Sequence, residues 1–244
     1  MNQPRTDESP AKRCLDEVLG RLYETFASYP LTELGYHPVV AEELVDHLLE
    51  TPLRALSFEA LYAYVMAAMT TLGDVPEFKH FVPRLCEFCA YESGDFDTFC
   101  WKLSYAEWRR WPDEERVVVE DFFDALWRYV LEDDWEQWFA YGFLFHVRKT
   151  EWDVPISRYL ETWENAEGLT ATMHLVELVR VLNTGDEDDP PFVAMLRDWF
   201  RDTGMARRLR EAFDTFPADQ DRTDLEVAIA FLDAHPEWSA EQGV

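Results

Sequence analysis

Cys86 and Cys89 form a Cys-x2-Cys pair, with His80 six residues before it and Cys100 eleven after. Thiolate and imidazole at close spacing are the ligands zinc prefers. The pair falls, however, in a run whose apolar stripe includes Phe78, Val82, Leu85 and Cys89, with no glycine turn around it. Burial as small hydrophobes is therefore the stronger expectation, and His80, Cys86, Cys89 and Cys100 stand only as weak metal candidates. A carboxylate-bridged di-iron site needs two Glu-x-x-His pairs and two further Glu. The chain offers one pair, Glu77 to His80, beside the reversed His174-x-x-Glu177 and a mis-spaced Glu43 to His47. Asp133-Asp134-x-Glu136 and Asp186-Glu187-x-Asp189 have the oxygen ligands a hard cation takes, but both sit where helices are expected to begin, and acidic residues cap there. There is no Gly-x-Ser-x-Gly elbow, P-loop or Gly-x-Gly-x-x-Gly fingerprint. No residue is assigned a catalytic role, and no cofactor is expected.

Recognition chemistry is better represented. Seven tryptophans (101, 108, 111, 127, 135, 138 and 152) fall between residues 101 and 152, interleaved with Glu, Asp and Arg. That is the composition of an interface hot spot, although Trp127 and Trp138 also suit a core. Trp108, Arg109, Arg110 and Trp111 at four successive helical positions would cover every side of a helix, so exposure of part of the group is expected. Lys79, His80 and Arg84 form a small basic group beside Pro83, where a helix kink or break is expected. They could bind an anion or close an internal ion-pair network with Glu77 and Glu87. Trp108, Arg109, Trp111, Lys79, His80 and Arg84 are thus the candidate binding surface.

The elements that must position these residues are helical throughout. Leu15, Val18, Leu19, Leu22 and Phe26 share one face of a helix opened by Ser9-Pro10. A second helix is expected from Pro38 to Pro52, and a third from Ser57 to Gly73. Asp74 with Glu77 reads as a capping box. Asp95 opens a helix expected to run to Trp111, and Pro112 opens the clearest stripe, Val119, Phe122, Phe123, Leu126 and Val130. Further helices are expected from Asp134, Pro155, Thr170, Pro190, Met205 and Thr223. Nothing alternates with a strand period. About twelve helices with short connections predict antiparallel neighbours in one all-α domain, residues 1–244, stacked as HEAT-like α-hairpins or gathered in a compact bundle. A loop boundary is possible at 184–191.

The 244 residues are 48% hydrophobic and 15% aromatic, so a large core is affordable and extensive disorder is excluded. There are 22 basic residues, 18 of them Arg, against 49 acidic ones, giving a net charge of −27. Such repulsion argues against non-specific binding of nucleic acid or an anionic membrane. The acidity could serve solubility, adaptation to high salt or attraction to a basic partner. No run reaches a membrane span, no export signal opens the chain, and four cysteines are too few for a disulfide scaffold. A cytoplasmic protein with reduced thiols is expected.

Gly73-Asp74-Val75-Pro76-Glu77-Phe78-Lys79-His80-Phe81-Val82-Pro83-Arg84-Leu85-Cys86-Glu87 and Lys102-Leu103-x-Tyr105-Ala106-x-Trp108-Arg109-x-Trp111-Pro112 resemble a family of bacterial all-helical proteins of uncharacterised function. The resemblance spans about residues 57–131. It implies an all-helical fold and brings no activity, cofactor or partner with it. Two functional expectations follow from the residues. The first is an acidic interaction module, of the inhibitor or immunity type, that binds a basic protein. The alternative is a metal-dependent enzyme with its site in a helical cavity.

Overall fold

The computed structural model describes residues 9–92, 94–132, 140–149, 155–184, 189–216 and 222–238. It is all-helical, with twelve α-helices and no strand among the described residues, as the periodicity requires. The chain divides into two compact units. The first holds the residues up to Leu126 and the end of α7; the second holds Trp127 to Phe145 and everything described after Pro155. The expected 184–191 boundary has the second unit on both sides, and residues 185–188 lie outside the described residues.

In the first unit, α1 (Pro10–Thr25) is capped by Ser9, whose hydroxyl accepts from the Lys12 amide at 3.0 Å. Its buried stripe, Leu15, Val18, Leu19 and Leu22, packs on α4 (Val75–Tyr91). Full burial of each such side chain contributes about 1.5–3 kcal/mol. The helix expected from Pro38 starts only at Glu42: α2 is Glu42–Glu50. A second correction concerns α3 (Phe58–Ala67), expected to reach Gly73. Met69 turns left-handed at φ 58°, and 71–73 pair instead with Gly35 and His37 through His37 N–H to Thr71 O, 2.8 Å, and Gly73 N–H to Gly35 O, 2.6 Å.

The Asp74–Glu77 capping box opens α4, which then continues through Pro83. Of the kink or break expected at Pro83, the break is absent; packing on α1 and α3 holds one continuous helix despite the missing donor. Asp95 caps α5 (Phe96–Tyr105), its carboxylate accepting from the Thr98 amide at 3.0 Å. The expected run to Trp111 ends early, because Glu107 is left-handed at φ 49° and a single 3₁₀ turn follows over Trp108–Arg110. α6 (Asp113–Glu132) carries the stripe read from sequence, with Val119, Phe122, Phe123, Leu126 and Val130 all buried. α7 is Ala140–Lys149.

In the second unit, α8 (Ile156–Asn165) buries Tyr159, Leu160 and Trp163. The Trp127 indole donates to the Tyr159 carbonyl at 2.9 Å, and that of Trp163 to the Ala171 carbonyl at 2.9 Å. α9 (Leu169–Thr184) packs against both α11 (Met205–Thr215) and α12 (Thr223–Ala234), while α10 (Pro190–Asp202) lies beside α11. Among the described residues no helix is long and apolar enough to cross a membrane.

Candidate functional site

Of the basic group, Lys79 and Arg84 are buried and His80 is half-buried. The Lys79 ammonium lies 2.6 Å from Glu115 Oε2 and donates to the Tyr29 hydroxyl at 3.0 Å. That hydroxyl donates in turn to Glu115 Oε1 at 2.6 Å. The rings of Trp111 and Tyr29 lie 4.6 and 4.8 Å from the Lys79 ammonium. His80 Nδ1 meets the Tyr29 carbonyl at 2.8 Å, so it carries the proton there. Burial depresses the His80 pKa, the carbonyl bond opposing it. Arg84 spans Glu92 at 2.8 Å, the Leu56 carbonyl at 3.0 Å and Glu87 at 3.1 Å. Burial works against its charge, but Glu92 and Glu87 prevail and hold it above the ordinary arginine value. Glu87 also accepts from Tyr23 at 2.7 Å.

This is the internal ion-pair network, although its main acidic members are Glu115, Glu87 and Glu92, and Glu77 is used in its cap. Trp108 and Trp111 are only 2% and 7% exposed. A 3₁₀ turn sets residues three apart on one side. Both rings therefore face inward, while Arg110 points out beside Glu107 at 2.8 Å and Arg109 is half-buried. As a continuous exposed surface, the expected set of six is corrected.

Cys86, Cys89 and Cys100 come together in the core of the first unit, and burial raises all three thiols above their usual pKa. Among the described residues no group of three or more His, Cys, Asp or Glu is placed to hold a metal. Glu77 caps α4, His174 Nε2 meets the Val130 carbonyl at 3.0 Å, and His146 meets Asp97 at 2.8 Å. Asp189 caps α10, its carboxylate accepting from the Phe192 amide at 3.2 Å. Asp133, Asp134, Trp135, Glu136, Trp138, Trp152 and 186–188 lie outside the described residues.

The sequence reading missed the face formed by α3 and α5. Every position of α3 except Glu59 is apolar or aromatic, and the helix buries only Ala60, Leu61, Tyr64 and Val65. Phe58, Tyr62 and Met66, spaced by four, lie on the opposite side and are exposed. On α5, Trp101 and Tyr105 are 52% and 54% exposed, with their rings 5.8 Å apart. The two stripes meet where Thr98 Oγ1 approaches Met66 Sδ at 3.9 Å. Beneath them Lys102 is fully buried, donating to the Ala68 carbonyl at 2.6 Å and the Met66 carbonyl at 3.3 Å, 4.7 Å from the Trp101 ring. A cation on the last carbonyls of a helix favours its dipole, so Lys102 ends α3 and pins it to α5. Desolvation lowers the Lys102 pKa. The signal available in sequence was the near-absence of polar residues around α3, which a helix with one solvent face should have.

Comparison with protein-family profiles, curated proteins and solved structures finds no match. The chemical capacity of the site is thus read from its own geometry. It holds large aromatic rings and a thioether in the open, with Glu59 and Asp97 exposed on the same two helices. Such side chains release much free energy when covered and contribute no reactive group.

Proposed function

We propose that the chain is an interaction module of the inhibitor or immunity type, acting in the cytoplasm, that binds a basic protein on the α3–α5 face. The supporting observation is the exposed stripe Phe58, Tyr62, Met66, Trp101 and Tyr105 in a chain of net charge −27. Contiguous exposed apolar side chains of this kind are uncommon on a free surface and mark interaction sites. Aromatic residues and Met are enriched at interface centres. The excess of carboxylates selects a basic partner and accelerates its approach.

The test is affinity purification of the tagged chain from its own cell lysate at low and moderate salt, followed by titration of the recovered partner against Trp101→Ala. The expected result is one stoichiometric basic protein, released as salt rises, whose affinity falls about thirtyfold on losing a hot-spot tryptophan. Because Trp101 is half exposed, the variant should keep its fold, losing about 1–2 kcal/mol for the covered half of the ring above Lys102. A chain recovered alone, or a partner indifferent to both salt and Trp101→Ala, overturns the reading.

A further inference from the structure

The second unit contains a cavity of about 480 Å3 between α9 and α12. Drug-sized ligands occupy cavities of roughly 300–1,000 Å3 walled by apolar groups with a few placed polar ones. Val176 and Val179 of α9 and Val227 and Phe231 of α12 line an apolar groove that is open on one side, with Val227 60% exposed, and Glu177 and Arg180 of α9 and Asp224 of α12 complete its lining. Glu177 Oε2 is buried and has no hydrogen-bond partner among the described residues. A buried acceptor left unpaired is costly, and a donor brought by a ligand would satisfy it.

We propose that this cavity binds a small amphipathic amine, its ammonium on the Glu177 carboxylate and its apolar body between the valines and Phe231. In the ionised carboxylate the unpaired atom is an acceptor, which asks for a donor. Asp224 adds a second negative charge to the walls, and the whole chain is at −27, so a cation is drawn in and an anion is opposed. Arg180, with its side chain exposed, is the only positive charge in the lining. The other titratable group of α9 in the lining is His174, whose Nε2 meets the Val130 carbonyl. From α11, which also packs on α9, Arg208 goes to the Thr172 hydroxyl and the Trp163 carbonyl and lines none of this cavity. Burial pushes the Glu177 carboxyl up to about 7, with Arg180 pulling it down. An arriving ammonium therefore favours the ionised form and expels a proton where the carboxyl is still protonated. The site is independent of the α3–α5 face.

The experiment is calorimetric titration of the full chain with 4-phenylbutylamine and with 4-phenylbutyrate, equal in body and opposite in head charge, at pH 6 and pH 8. With the carboxyl at about 7, its ionised fraction rises about tenfold over that interval, and the amine affinity should rise with it. The butyrate should bind at least about tenfold more weakly, the difference one charge-assisted hydrogen bond makes. Glu177→Gln keeps the shape and removes the charge, so it should fold, lose the amine by the same factor and abolish the pH slope. Equal binding of the two compounds, preference for the butyrate, no binding of either at low-millimolar concentration, or a pH slope retained in Glu177→Gln would each overturn the assignment.

Discussion

Lys79 shows why a basic residue in an acidic chain need not face a partner. Its ammonium is enclosed by Glu115, the Tyr29 hydroxyl and the faces of two aromatic rings, and neither member of the ion pair is exposed. Removing two charges from water is expensive, and their attraction compensates only while both are present. Lys79→Met should therefore destabilise the fold by about 3–5 kcal/mol, because Glu115 remains buried without its counter-charge. Lys79→Met combined with Glu115→Leu should recover most of that loss, since an apolar pair of similar volume avoids the desolvation cost. Urea denaturation of the two variants decides the matter, and a double variant as unstable as the single one would refute the account. His80 and Arg84 belong to the same kind of arrangement, each tied to a loop carbonyl, of Tyr29 and Leu56 respectively. These residues join segments distant in sequence, and spacing alone could not choose between that role and a ligand site.

At the scale of elements, local signals were read well wherever a cap or stripe lay within one helix. Ser9, Ser57, Asp74 and Asp95 all cap the helices they were expected to open, and the α6 stripe is buried as written. What failed were helix ends set by a distant contact or by a left-handed residue that the sequence does not mark. α3 stops short because Lys102, more than thirty residues on, takes its last carbonyls, and α5 stops because Glu107 adopts a left-handed backbone. The packed face of α3 leaves Phe58, Tyr62 and Met66 outward, and the early end of α5 lets Trp108 and Trp111 turn in. Glu107 bears the conformational cost of its turn, offset in part by its backbone bonds to Ser104 and Arg110 and by an exposed ion pair with Arg110. Glu107→Gly should accordingly raise stability, by a few tenths to about 1 kcal/mol, with Trp108 and Trp111 still buried by fluorescence. A loss of more than about 1 kcal/mol would mean that the Glu107 side chain holds the turn in some further way.

For the whole molecule the deciding quantity is charge. Many arginines are already engaged with acidic neighbours a turn away, as in Arg116 with Asp113 and Arg201 with Asp198. These exposed pairs contribute little each, and the excess of 49 acidic over 22 basic residues is left to act as a field around the fold. That field opposes compaction and attracts cations, so one variable should move folding and binding in opposite directions. Raising sodium chloride from about 0.05 to about 0.5 M shortens the screening length severalfold and should raise the thermal midpoint of the free chain. The same change should weaken the complex with a basic partner, mainly by slowing association. If the midpoint falls as salt rises, attractive surface pairs dominate over net repulsion, and the acidity cannot be treated as a single long-range field. If the midpoint rises while partner binding stays constant, the charge serves solubility, and recognition rests on the aromatic face alone. Opposite movement of the two is the outcome expected if, as proposed, the acidity serves to capture a basic protein at the expense of the fold's own stability.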